Sequence, residues 1–236
     1  MERVEAMADA MLAGETDLAG FRAEARQLLA HQVPPEEVHW VLDPEGAARY
    51  TDPQSPQASR PTNVARAATA IVPASFTRLC EFVVLHRDPQ RFALLYRLLW
   101  RLVHEPQLRN DPTDPDMLQA QHMAHAVRRD IHKMKANLRL QLLHEADGRE
   151  LQVACYQPAH HVIEAVAPWL CKRLPAPRWA IFTPDRSVQC EHGHLLFGPG
   201  VAPAGLPADD AGEAEWLACH QRVFAMPNRT AAVDAA

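Results

Sequence analysis

VRRDIHKMKANLRLQLLHEADGRELQVACY, residues 127–156, holds the change of period on which the fold turns. In its first half Val127, Ile131 and Met134 fall on one stripe at helical spacing, continuing Ala120 and Ala124 upstream. That predicts a helix from about Pro115 to Ala136. From Leu138 the period drops to two: Leu138, Leu140 and Leu142 alternate with Arg139 and Gln141, Ala146-Asp147-Gly148 supplies turn chemistry, and Leu151, Val153 and Cys155 alternate on the way back. A helix that hands over to a hairpin, with no regular strand–helix alternation around it, predicts an α+β protein: helices packed on an antiparallel sheet built from hairpins.

Upstream, DLAGFRAEARQLLAH over 17–31 places Leu18, Phe21, Ala25, Leu28 and Leu29 on one side, with Asp17 as the cap. A turn at Pro34-Pro35 leads to a short strand, VHWVL. Residues 43–75 carry five prolines and little apolar periodicity and read as a linker. One helix is expected from Phe76 to Leu85 and another over 89–104, with Phe92, Leu95, Leu99, Leu102 and Val103 inward. Downstream, 159–174 reads as a helix interrupted by Pro168, RWAIFT as a strand, SVQCE-HG-HLLFG as a hairpin, and WLACHQRVF as a last helix. The organisation expected is a 1–42 segment, a 43–75 linker, a main domain over 76–201 and a tail over 202–236.

With 47% hydrophobic and 22% charged residues the chain can bury a substantial core. MERVEAMADAMLAGE has neither the basic nor the apolar region of a secretory signal, and no apolar run reaches membrane-spanning length, so a soluble, cytoplasmic protein is expected with no membrane partner. Five scattered cysteines without a CxxC pair read as reduced thiols. The net charge of −5 conceals a pattern: residues 78–139 hold eleven Lys and Arg against seven Asp and Glu, while the flanks are acidic. Such a distribution permits a local anionic partner.

Within that basic middle, Arg128, Arg129, Lys133, Lys135 and Arg139 face only Asp130 as an acid, and His125, Arg128, His132 and Lys135 are expected to form a stripe beside the core stripe. Phosphodiester backbones call for this kind of array. In YRLLWR, Arg97 and Arg101 flank Trp100 with Tyr96 beside them, a pattern that grips phosphate and stacks on unpaired bases, although aromatics of this kind more often belong to the core. Cys190, His192 and His194 sit on alternating hairpin positions, and His122 and His125 pair one turn apart; neither set has convergent four-ligand spacing, so no metal is expected. His160-His161, after Pro158, read as capping or surface residues. No nucleotide, zinc-protease or nucleophile-elbow motif is present, so no cofactor is expected either.

Several strings together, HRDPQRFALLYRLLWRL from His86, RRDIHKMKA from Arg128, APWLCKR from Ala167, RWAIFTPDRS from Arg178 and LLFGPGV up to Val201, resemble a bacterial family of DNA-metabolism and DNA-repair proteins. That family is met as the N-terminal half of proteins fused to a uracil-DNA-glycosylase-family domain, and as free-standing chains associated with a radical S-adenosylmethionine protein. The resemblance departs at Asn137 and Cys155, where aromatics are expected, at the CEHGH hairpin, and in the C-terminal tail with its MPNR. It implies single-stranded or damaged duplex DNA as partner, and a radical SAM or glycosylase-family protein beside it. It supplies no catalytic residues, and the chain ends before a glycosylase domain could begin.

The expectation is therefore a DNA-binding accessory protein that uses Arg97, Arg101, Arg128, Arg129, His132, Lys133, Lys135 and Arg139 against the backbone. Two rivals stand beside it. One is a DNA-processing enzyme, a base-excision glycosylase or nuclease drawing on Asp130, His132 and Asp185; the other is an adaptor docking an acidic protein.

Overall fold

The structure, a computed structural model, describes residues 7–43, 72–105, 107–108, 111–208 and 211–224. Most of the Pro-rich 43–75 segment and the MPNR stretch lie outside the described residues. The chain divides into two compact units. One holds the described residues up to His132 together with Ala159–Val162; the other holds 133–158 and the described residues from 163 onward.

In the first unit, β1 (Ala8–Leu12) pairs in parallel with β2 (Val38–Leu42), from Ala8 opposite Val38 to Leu12 opposite Leu42. The β1 sequence, ADAML, has no β-branched residue, so only this pairing makes it a strand. Helix α1 (Leu18–Ala30) starts where Asp17 accepts the Gly20 N–H at 2.7 Å and the Ala13 N–H at 2.9 Å. A Cβ on Gly20 would sit 2.0 Å from that carboxylate, which is why the first turn carries glycine. Helices α2 (Ala74–Val83), α3 (Arg91–His104) and α4 (Pro115–Asn137) follow near their expected positions. The core gathers Phe21, Trp40, Phe92 and Tyr96, with ring centroids 5.2 Å apart for Phe21–Trp40 and 5.8 Å for Phe21–Phe92. Val103, in the last turn of α3, is 36% exposed and drops out of the inward stripe.

The second unit is built on a five-stranded sheet in chain order: β3 (Gln141–His144), β4 (Glu150–Cys155), β5 (Arg178–Phe182), β6 (Arg186–Glu191) and β7 (His194–Pro199). The fold is α+β, as expected, and every adjacent pair is antiparallel except β4 and β5. Those two run in parallel because α5 (Ile163–Arg173), with Pro168 inside it, lies between them in the chain; a parallel pair needs such a crossover. Helix α6 (Glu213–Phe224) lays Trp216, Cys219 and Val223 against Leu143, Leu151, Val153, Ala180 and Phe182. Each large apolar side chain buried there contributes about 1.5–3 kcal/mol.

One expectation shifts by a residue. Alternation from Leu138 would turn Leu142 inward, yet Leu143 is the buried residue of β3 and pairs with Leu151, while Leu142 is exposed. Helix α4 runs on to Asn137 and the strand begins only at Gln141, so the turn opposite resets the register. The β6–β7 turn places His192 and Gly193 at φ 49° and 89°, the two-residue geometry for which glycine is suited.

Candidate nucleic-acid interface

The arginines of α3 are engaged by the start of α4. Asp114 caps α4 by accepting the Met117 N–H at 2.9 Å, and its other oxygen accepts from Arg101 at 2.7 Å. Arg97 grips Asp116 with two hydrogen bonds, of 2.9 and 2.7 Å, and Arg101 also reaches Asp116 at 3.1 Å and Glu105 at 3.3 Å. The Arg97 guanidinium holds the Asp116 carboxyl below the usual carboxylate range. Such bonds contribute about 1.5–3 kcal/mol where shielded, as at Asp114, and only about 0–1 kcal/mol where exposed, as at Arg97, but moving either arginine to a phosphate would mean exchanging several of them. Arg97 and Arg101 are thus not free cations. The aromatic platform expected beside them is absent in the same way: Tyr96 is 0% exposed and donates its hydroxyl to the Val33 carbonyl at 2.7 Å, and Trp100 is half-buried and stacked on His104 at 4.2 Å.

Further along α4 the balance reverses. From Met117 to Arg139 the one acid is Asp130, and it is 6% exposed, turned inward to accept the His160 N–H at 2.9 Å. Ile131, expected in the core, is only half-buried, because the inward arc is Ala120, Met123, Ala124, Val127, Asp130 and Met134. The helix is therefore rotated from the expected register. His122, His125, Arg129, His132 and Lys133 are exposed along its outward face, and Arg139 is exposed just beyond its end. Among the described residues none of these six side chains makes a hydrogen bond or ion pair.

Arg128 and Lys135, expected on the outward stripe, are half-buried at its flank. The Arg128 guanidinium lies 4.1 Å from the Phe82 ring centre, and the Lys135 ammonium 4.7 Å from that of Trp169. A cation held over an aromatic face in this way gains about 0.5–1 kcal/mol at partly exposed sites.

A second group of polar residues in the first unit escaped the sequence reading. The His86 and His160 rings lie 4.3 Å apart. Nδ1 of His86 accepts the Asp88 N–H at 3.1 Å and Nδ1 of His160 accepts the Arg87 N–H at 3.3 Å, so each neutral ring carries its proton on Nε2. Burial, more than any neighbouring charge, pushes both imidazoles below their usual range. Arg91, 2% exposed, donates to the carbonyls of Val84, Asp88 and Glu15 and pairs with the Glu15 carboxylate; His161 Nε2 stands 3.8 Å from the same carboxylate. Glu15, Arg87 and Arg91 also line a recess of about 140 Å³, together with the apolar Leu12, Trp40, Leu42 and Phe92. His86 and His160 lie 74 positions apart with no spacing motif between them, so the sequence carried no signal for their meeting.

The two α4 residues of the enzymatic rival are not brought together. On α4, Asp130 is buried while His132 is exposed on the opposite side, and Asp185 belongs to the second unit. Among the described residues no group of three or more His, Cys, Asp or Glu is arranged to hold a metal ion, and no helix is long and apolar enough to cross a membrane.

Residues 89–230, from just before α3 through α6, match the model of a domain of unknown function, DUF4130, and the chain belongs to that family. No curated protein and no solved structure matches it.

Proposed function

We propose that this protein is a DNA-binding accessory factor that holds the phosphodiester backbone on the outward face of α4. The observation that supports this reading is the inward turn of Asp130, which leaves Arg129, His132 and Lys133 on an exposed helix face without a carboxylate partner among the described residues. Arg139 extends the set; Arg128 and Lys135 flank it. Cations so placed grip the backbone without reading base edges, which suits single-stranded or damaged duplex DNA. The resemblance in sequence adds a radical SAM or glycosylase-family protein as the partner that supplies chemistry. Five free thiols fit a cytoplasmic setting.

The test is titration of single-stranded, duplex, uracil-containing and abasic DNA over a range of salt. Arg129→Ala with Lys133→Ala weakens binding to all of them alike and lowers the salt slope by about two units, roughly 0.9 for each phosphate no longer neutralised. Unchanged affinity in the folded double variant overturns the proposal.

One observation favours a second reading. Two neutral imidazoles with ring centres 4.3 Å apart, one of them accepting the Arg87 N–H, have the makings of a proton-transfer site. Strand breaks or abasic sites on product gels, abolished in His160→Gln, would establish it.

A further inference from the structure

The second unit holds a pair of thiols that touch. Cys171, half-buried on α5, and Cys190, 4% exposed on β6, have their sulfurs 3.3 Å apart, and the Cys171 thiol donates to the Gly193 carbonyl at 3.4 Å. With that proton directed at Gly193, the Cys171 sulfur accepts from Cys190. The other buried thiols differ: among the described residues neither Cys80 nor Cys219 is paired with another cysteine, and each lies in the apolar core of its unit. A disulfide needs about 2.05 Å between sulfurs, a closure that small side-chain rotations supply when the thiols already touch.

We propose that Cys171 and Cys190 form a reversible intramolecular disulfide site that takes oxidants of the peroxide class. Cys171, the more accessible sulfur, loses its proton and attacks a peroxide oxygen. The O–O bond breaks, hydroxide leaves with that proton as water, and Cys171 becomes a sulfenic acid. Cys190 then gives up its proton, its sulfur attacks that of Cys171, the S–O bond breaks and a second water leaves. Two thiols and one peroxide yield one disulfide and two waters; the sulfurs lose two electrons and the peroxide oxygens gain them. Burial first, and the hydrogen bond with Cys171 second, push the Cys190 thiol up to about 11, which leaves the first attack to Cys171; what favours Cys190 for the second step is its sulfur, 3.3 Å from that of Cys171. The bond would staple α5 to the β6–β7 hairpin, and a dithiol reverses it by exchange.

The experiment uses the full chain. Brief treatment with hydrogen peroxide, quenching, and thiol counting in denaturant should give three free thiols where the untreated protein has five, a mass loss of about 2 Da, and a cross-linked Cys171–Cys190 peptide that dithiothreitol removes. Closing the loop raises the melting temperature by roughly 5 °C. In Cys190→Ser a sulfenic-acid trap labels Cys171 strongly, whereas wild type is labelled weakly because the resolving thiol competes. Retention of all five thiols under conditions that oxidise a free-cysteine reference, a disulfide at another pair, or equal trapping in wild type and Cys190→Ser overturns the proposal. The wild-type peptide map decides it even if the serine variant does not fold.

Discussion

Arg97 and Arg101 on α3 and Arg129 and Lys133 on α4 look alike in the sequence: basic residues spaced a helical turn apart, within one stretch of net positive charge. Their surroundings are opposite. Asp114, Asp116 and Glu105 consume the first pair, while the one acid between Met117 and Arg139 is buried and held by a backbone N–H. Availability to an anion depends on where the acids of the neighbouring elements point, which a running count of charge does not record. The same lesson applies within α4, where one residue of rotation exchanges Arg128 for Arg129 as the outward arginine.

The sharpest way to test this contrast is to remove a basic residue of each kind and measure stability by urea denaturation. Arg91→Ala takes away a buried guanidinium that serves three carbonyls and a carboxylate, and should cost about 3 kcal/mol. Arg128→Ala, which loses its place over Phe82, should cost about 1 kcal/mol. Arg129→Ala should stay within about 0.5 kcal/mol of wild type. An Arg129 variant as costly as the Arg91 variant would mean that the outward face is structural, and the contrast would collapse.

Histidines sharpen the comparison by pH. His86 and His160 are pushed down by burial, so the fold prefers their neutral forms. Their contribution is complete above the unfolded value near 6.5 and is lost as pH falls through the lower folded values. The urea midpoint should therefore drop between about pH 7.5 and about pH 5.5, and His160→Gln should drop less. An equal drop in the variant would assign the effect elsewhere, His220 being the other histidine pushed down by burial.

How much of this was legible beforehand differs by element. The helices over 18–30, 91–104 and 115–137 and the 178–199 strands followed from period and turn chemistry alone. β1 did not, because ADAML has no strand signature apart from its partner 30 residues on. The parallel β4–β5 pairing was hidden by reading the sheet as successive hairpins, although a helix predicted between two strands was the available clue. At the site, the identity of the basic residues was legible and their facing was not: an apolar stripe ranks Ile131 above Asp130 for burial, and the His160 N–H that reverses the ranking lies 30 residues away.

That N–H also bears on how the chain is made. Residues 159–162 belong with the first unit but are separated in sequence from the rest of it by β3 and β4. Their backbone accepts from Arg87 at 2.9 Å and donates to the Leu85 carbonyl at 2.9 Å and to Asp130. During synthesis, α4 emerges from the ribosome before these donors do, and at typical elongation rates the Asp130 carboxylate waits on the order of seconds for its partner. Water must solvate it meanwhile, so the last turns of α4 cannot settle into their final packing until the nascent chain has passed Val162. A fragment ending at His132 would leave that carboxylate unpaired for good, and a useful truncation of the first unit has to retain the chain through Val162.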